Sequence, residues 1–214
     1  MHQERSFSGQ IMRQARLDQA FRLAVQQLSE LRVDFALVGG LAVSSRTEPR
    51  LTRDIDLAVA VKDDSQSEKI IFGMRHAGYR AEQILEQTGT GRLATVRLLR
   101  EDEKRIFIDL LFASSGIEEE IVKNAEILKV LGLSVKVATT GHLLATKILS
   151  QSSERQQDRD DIVKLLKVAG EKDLRVARDS LRLIVERGFH RRKNLLKTFK
   201  LFLHRHTRAK KRPL

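Results

Sequence analysis

The stretch Leu37-Val-Gly-Gly-Leu-Ala-Val-Ser-Ser-Arg-Thr-Glu-Pro-Arg-Leu-Thr-Arg-Asp-Ile-Asp-Leu57 decides how the chain is to be read. The run from Asp34 to Val38 ends at Gly39-Gly40, the pattern of a buried strand that leaves by a tight turn, here into a short helical segment over Leu41 to Ser45. Thr52 to Val61 alternates and then becomes continuously apolar at Leu57-Ala-Val-Ala-Val61, as a central strand does. Side chains two apart on a strand point to one face, so Asp54 and Asp56 project side by side. Adjacent carboxylates repel each other, and a hard divalent cation between them turns the arrangement favourable; Mg²⁺ suits the place because it takes oxygen ligands and is commonly shared with substrate phosphates. Gly39 and Gly40 allow close backbone approach, and amides at the start of a helix favour phosphate.

A third carboxylate lies in Arg105-Ile-Phe-Ile-Asp109-Leu-Leu-Phe112. An acid amid such apolar neighbours is costly unless its face opens onto a charged site. Two readings stay open for Asp109: convergence on the same metals as Asp54 and Asp56, or pairing with an arginine for structural reasons. Under the first, three carboxylates from two strands suit two-metal phosphoryl or nucleotidyl transfer, with Asp109 taking the proton of the attacking hydroxyl.

Working outward, Leu17, Phe21, Ala24, Val25, Leu28 and Leu31 recur at helical spacing, which predicts an amphipathic helix over about residues 10–31. Ser65 to His76 reads as a helix stopped at Gly78, and Tyr79–Glu86, Arg92–Leu99 and Lys104–Phe112 as strands joined by hairpin turns. Thr88-Gly-Thr-Gly91 is glycine-rich but lacks the Lys-Ser/Thr ending of a P-loop, so it reads as one of those turns. Glu118 to Leu128 predicts a short helix and Leu131–Val137 a further strand. Beyond Thr139 the pattern is helical, over about residues 140–150, 154–168, 173–187 and 191–206, with N-caps expected at Thr140 and Ser153 and C-caps at Gly170 and Gly188. The division expected is an α/β body over residues 1–138, a helical region over 139–189 that completes the site, and a tail over 190–214.

Gly39-Gly40, Asp54-Ile-Asp56-Leu and the later Asp109 together resemble the signature of the DNA polymerase β-like nucleotidyltransferase superfamily. The resemblance implies a fold of α/β (α+β) class, a small mixed-sheet palm followed by a C-terminal helical region, holding two Mg²⁺ ions. It also implies transfer of a nucleoside monophosphate from an NTP to an acceptor, with release of pyrophosphate. A narrower likeness is carried by Arg50-Leu-Thr52-Arg-Asp54-Ile-Asp56 and by Leu143-Leu-Ala-Thr-Lys147 with Arg155-Gln-Gln-Asp158-Arg-Asp-Asp161-Ile. This pattern is similar to the AbiEii/AbiGii toxin family, the toxin halves of bacterial toxin–antitoxin pairs, and covers roughly residues 33–166. By that resemblance Gly39, Gly40, Arg50 and Thr52 bind the nucleotide and Lys147 contacts its phosphates. Asp158 is then a further essential acid, with Arg155 and Asp161 its supporting neighbours at i−3 and i+3. Arg159-Asp160 adds charges where that family has apolar or aromatic residues.

Charge divides the 214 residues sharply: ten of the 40 Lys and Arg fall after Phe189 with no acid among them, so +10 of the formal net charge of +12 sits in the tail. Leu195, Leu196, Phe199, Phe202 and Leu203 form one helical face there. Arg191, Arg192, Lys193, Lys197, Lys200, Arg205, Arg208, Lys210, Lys211 and Arg212 offer cations to a nucleic-acid backbone. The acceptor expected is therefore an RNA, such as the 3′ end of tRNA, and the resemblance to the toxin family implies an antitoxin protein as partner. The alternatives are a small hydroxylated acceptor of antibiotic type, or an inactive nucleic-acid-binding module on the same scaffold. Zero cysteines exclude thiolate catalysis and fit a reducing, cytoplasmic setting, and no apolar run approaches a membrane span. His142 reads as a surface or capping residue, and His204 and His206 as too isolated for a metal site.

Overall fold

The computed structural model describes residues 2–50, 52–102, 106–152 and 154–210, with side chains described within 14–208. A seven-stranded mixed sheet runs in the order β3-β4-β5-β2-β1-β7-β6. Its strands are β1 (Phe35–Val38), β2 (Asp54–Val59), β3 (Tyr79–Glu86), β4 (Leu93–Arg100), β5 (Phe107–Leu111), β6 (Glu126–Val130) and β7 (Leu133–Val137). β2 lies antiparallel to β1 and parallel to β5, with Asp56 opposite Val38 on one side and opposite Asp109 on the other. β4 lies antiparallel to β5 and sets Arg97 opposite Asp109. That register places Asp56, Asp109 and Arg97 on neighbouring strands at one level.

The helices are α1 (His2–Glu30), α2 (Gly39–Arg46), α3 (Asp64–His76), α4 (Glu118–Lys123), α5 (Thr140–Ser150), α6 (Gln156–Val168), α7 (Glu171–Glu186) and α8 (Leu195–Lys210). α1 buries Leu17, Phe21, Ala24 and Leu28, a stripe at i, i+4, i+7 and i+11; burying a side chain such as Phe21 or Leu28 contributes about 1.5–3 kcal/mol. It faces Ile106 and Ile108, so it covers the side of the sheet away from the Asp109 carboxylate. α5 is apolar nearly all round, burying Leu143, Leu144, Ala145, Ile148 and Leu149, because it is enclosed by α2, α6, α7 and α8.

The hairpin expected at Thr88–Gly91 is present, closed by Gly91 N–H donating to Gln87 O at 2.8 Å. Two expectations are corrected. The helix read over Glu118–Leu128 stops at Lys123, and residues 126–130 form an edge strand paired with β7. Only Val130 of that strand is buried, so the apolar alternation that marks a strand is missing. The N-cap of α5 is Thr139, not Thr140, and Gly170 caps the start of α7 rather than the end of α6. Gly188 follows the end of α7 with φ +80°, as a C-terminal glycine should. Ser153 lies outside the described residues. Among the described residues no helix is long and apolar enough to cross a membrane.

Candidate active site

A groove of about 1140 Å³ opens over the Asp54 end of β2, and Asp54, Asp56, Asp109, Lys147 and Asp158 all line it. Gly39 adopts φ +63°, where glycine is favoured, and any Cβ there would overlap the Asp56 carboxylate. A Cβ on Gly40 would press on the Arg50 guanidinium and the Thr52 hydroxyl. The two glycines therefore do separate jobs: Gly39 makes room for Asp56, and Gly40 makes room for Arg50 and Thr52. Gly40 N–H also donates to Asp56.

Asp56 sits at the floor, partly open to solvent, and desolvation joined by repulsion from Asp109 and Asp54 pushes its carboxyl up to about 6, against Lys147 and the Gly40 amide. Burial also raises Asp54, opposed mainly by Arg97. A pair of acids destabilised as anions in this way is suited to a cation between them. Asp54 and Asp56 fit a Mg²⁺ ion, which needs only one or two carboxylates when substrate phosphates complete its shell. Among the described residues no group of three or more His, Asp or Glu is gathered as a metal cage.

Asp109 is buried and takes both parallel bonds of a bidentate pair, from Arg97 Nε at 2.8 Å and Arg97 Nη2 at 2.6 Å. The Arg97 Nη2 also stands 3.6 Å from Asp54 Oδ2, and the guanidinium lies over the Phe107 ring at 5.0 Å. Sequence reading left Arg97 unnamed, although it allowed an arginine partner for Asp109. The signal lay in register: Thr95, Arg97 and Leu99 share one face of a strand hairpinned to β5.

Across the groove, α5 supplies Lys147 and α6 supplies Asp158 and Asp161. Lys147 Nζ donates to Asp158 Oδ1 at 2.8 Å and stands 2.9 Å from Asp161 Oδ2. Asp161 is wholly buried and also binds Arg50, through Nη2 and Nε, each at 2.9 Å. Burial alone would raise Asp161, but Lys147 and Arg50 outweigh it and hold the carboxyl below its ordinary value. Asp161 thus joins Lys147 and Arg50, the two cations that the resemblance assigns to the nucleotide, a larger part than that of a helical neighbour. Asp158 Oδ2 is buried with no hydrogen-bond partner among the described residues, 3.6 Å from Arg155 Nη1.

The tail residues divide. Lys193 Nζ donates to Leu149 O and Gln151 O at 2.7 Å each, satisfying carbonyls at the end of α5. Arg191 donates to Ser114 O at 3.1 Å and lines a cavity beside the groove. Lys197, Lys200, Arg205 and Arg208 are exposed on α8, away from Leu195 and Phe199, which are buried. Arg192 is exposed, Lys210 ends α8, and Lys211 and Arg212 lie outside the described residues.

A mixed sheet carrying an acidic pair beside a glycine turn, closed over by a lysine-bearing helix, defines the class: the protein is a nucleotidyltransferase enzyme. More narrowly, the chain belongs to the family described as nucleotidyl transferase of unknown function (DUF2204), which it matches over residues 18–197. Its fold is similar to that of an antigenic nucleotidyltransferase-like protein from Paracoccidioides brasiliensis, at 20% identity and TM-score 0.51, over 86% of this chain and 92% of that one. It also resembles the lincosamide antibiotic adenylyltransferase LnuA, bound to lincomycin, at 17% identity and TM-score 0.46, over 71% of this chain and 96% of that one. The antibiotic-resistance factor ANT(2″)-Ia is similar at 14% identity and TM-score 0.49, over 89% and 97%. Among curated proteins none matches.

Proposed function

We propose that the protein transfers a nucleoside monophosphate from an NTP to the terminal hydroxyl of an RNA, such as the 3′ end of tRNA, as the toxin of a toxin–antitoxin pair. The observation that carries the chemistry is the Asp54–Asp56 pair at the floor of the groove, abutting Gly39 and facing Lys147. Asp54 and Asp56 would hold Mg²⁺, which when bound neutralises triphosphate charge. Gly39, Gly40, Arg50 and Thr52 position the nucleotide, and Lys147 meets its phosphates while Asp158 and Asp161 fix its ammonium. Asp109 receives the proton of the attacking hydroxyl. Its two oxygens hold Arg97 and still have lone pairs free, since a carboxylate offers about four acceptor sites. Arg97 keeps that carboxylate oriented toward the groove.

The RNA part of the reading rests on α8. Its apolar side is packed on the body and Lys197, Lys200, Arg205 and Arg208 face outward, so a phosphate backbone could run along it into the groove. The toxin role rests on the sequence likeness to the AbiEii/AbiGii family. The test is incubation with NTPs labelled at the α-phosphate, Mg²⁺ and total tRNA. Label is expected in RNA with the wild type and lost by at least about 1000-fold with Asp54→Ala or Asp56→Ala. Labelling of a small hydroxylated compound in place of RNA would overturn the acceptor, and label transfer that survives both substitutions would overturn the site.

A further inference from the structure

The three acids of the groove have a cation of the chain's own among them. β4, β5 and β2 lie side by side, and their register sets Arg97 opposite Asp109, and Asp109 opposite Asp56. Phe107, two residues before Asp109 and on the same face of β5, stands opposite Asp54 on one side and Leu99 on the other. Arg97 therefore reaches the acids from a neighbouring strand, not from a loop, and it lines the groove together with all three.

Three contacts hold its guanidinium. Nε and Nη2 grip the two oxygens of Asp109 at 2.8 and 2.6 Å, a fork matched to a carboxylate. The group lies over the Phe107 ring at 5.0 Å, within range of cation–π attraction. The same Nη2 that binds Asp109 is 3.6 Å from Asp54 Oδ2, so it stands between these two carboxylates. The Asp54 side chain is 40% exposed and open to an ion from the groove, whereas that of Asp109 is only 10% exposed. A metal ion shared by Asp54 and Asp109 would have to take the place that Nη2 fills. Loss of a proton cannot clear that place, since a guanidinium stays charged at any working pH.

We infer that Arg97 stands in for a second divalent ion, so that the site works with a single Mg²⁺ on Asp54 and Asp56 and with a fixed guanidinium beside Asp109. The inference rests on the reading of Asp54 and Asp56 as the acids that hold Mg²⁺, and it departs from the two ions implied by the superfamily resemblance. Two-metal sites set their ions about 3.5–4 Å apart, each neutralising charge on one side of the reacting phosphorus. Here the Asp109 side draws its positive charge from the chain itself. Asp109 uses only two of the five guanidinium N–H groups, which leaves others for a phosphate oxygen in the groove. Asp109, kept off the metal, retains lone pairs for the proton of the acceptor hydroxyl.

Electron paramagnetic resonance with Mn²⁺ in place of Mg²⁺ tests this on the full chain, with each of the four α,β-methylene nucleoside triphosphates in turn. Two Mn²⁺ ions about 3.5–4 Å apart couple magnetically and lose the sharp hyperfine lines of an isolated ion. The wild type is expected to hold one uncoupled Mn²⁺ per chain. Arg97→Gln keeps a hydrogen-bonding side chain but removes the charge, and is expected to take up a second, coupled ion. Arg97→Lys keeps the charge and should keep the single ion. A coupled pair in the wild type or in Arg97→Lys, or a single ion in folded Arg97→Gln, overturns the proposal. If Arg97→Gln fails to fold, the wild-type spectrum decides alone. If the wild type binds no Mn²⁺ with any of the four triphosphates, the reading of the acid pair itself falls and takes the proposal with it.

Discussion

Asp161 is the residue on which the helical wall of the groove turns, because one wholly buried carboxylate holds both Arg50 and Lys147. Removing one partner of a buried charged cluster costs about 3–5 kcal/mol, since the charges left behind stay desolvated. Asp161→Asn is therefore expected to lose about that much stability in urea unfolding and to weaken NTP binding. Wild-type stability in that variant would mean that Lys147 and Arg50 find other partners. The glycines and the acids of β2 were readable in sequence because they interact locally: Gly39 with Asp56, and Gly40 with Arg50 and Thr52, all lie within one strand–helix–strand unit. Arg97 was not, and Asp161 was read only as a supporting neighbour of Asp158, both for one reason. Their roles arise from the register of β4 on β5 and from the packing of α6 against α5, neither of which is encoded by spacing along the chain.

At the level of elements, the start of α5 carries a prediction of its own. Thr139 caps it, and the Thr139 hydroxyl lies 2.8 Å from His142 Nδ1, with the imidazole buried. Desolvation, helped by Arg46 and opposed by Glu120, lowers the His142 pKa from 6.5 to about 4. The unfolded chain thus takes up a proton that the folded chain refuses, so stability is full above about pH 6.5 and declines as pH falls toward 4. The decline attributable to this residue is on the order of 3 kcal/mol. Unfolding measured from pH 7 to pH 4 should show it, and His142→Gln should flatten that part of the curve; an unchanged slope would contradict the burial of a neutral imidazole. Elements with a clear apolar pattern, such as α1, α3, β4 and β5, were legible to within a few residues over most of their length, and β3 was legible from the turns that bound it. The hairpin of β6 and β7 was not: β6 is an exposed edge, and its turn places Leu131 at φ +48° before Gly132 at +80°, a conformation that leucine does not advertise.

For the whole molecule, the division of charge becomes a division of labour with a shared boundary. The near-neutral body holds the acids of the groove, while the basic segment begins at Arg191, which lines the smaller cavity beside the groove, and runs on along α8. Reversing Lys197, Lys200, Arg205 and Arg208 together to glutamate should lower RNA labelling, and should reduce the salt dependence of RNA binding by about 0.7 in log–log slope for each phosphate no longer neutralised. NTP binding should stay unchanged, because none of the four lines either cavity. RNA labelling equal to wild type would remove α8 from the acceptor surface. The central claim is that the acids of β2 carry out nucleotidyl transfer, and the position of the label tests it most directly. The same NTP is supplied labelled at either the α- or the γ-phosphate, with Mg²⁺ and RNA, to the wild type and to Asp56→Ala. The account predicts α-label in the acceptor and γ-label in free pyrophosphate, both abolished by the substitution. The appearance of γ-label in the acceptor, or of either product with Asp56→Ala at wild-type rates, would contradict it.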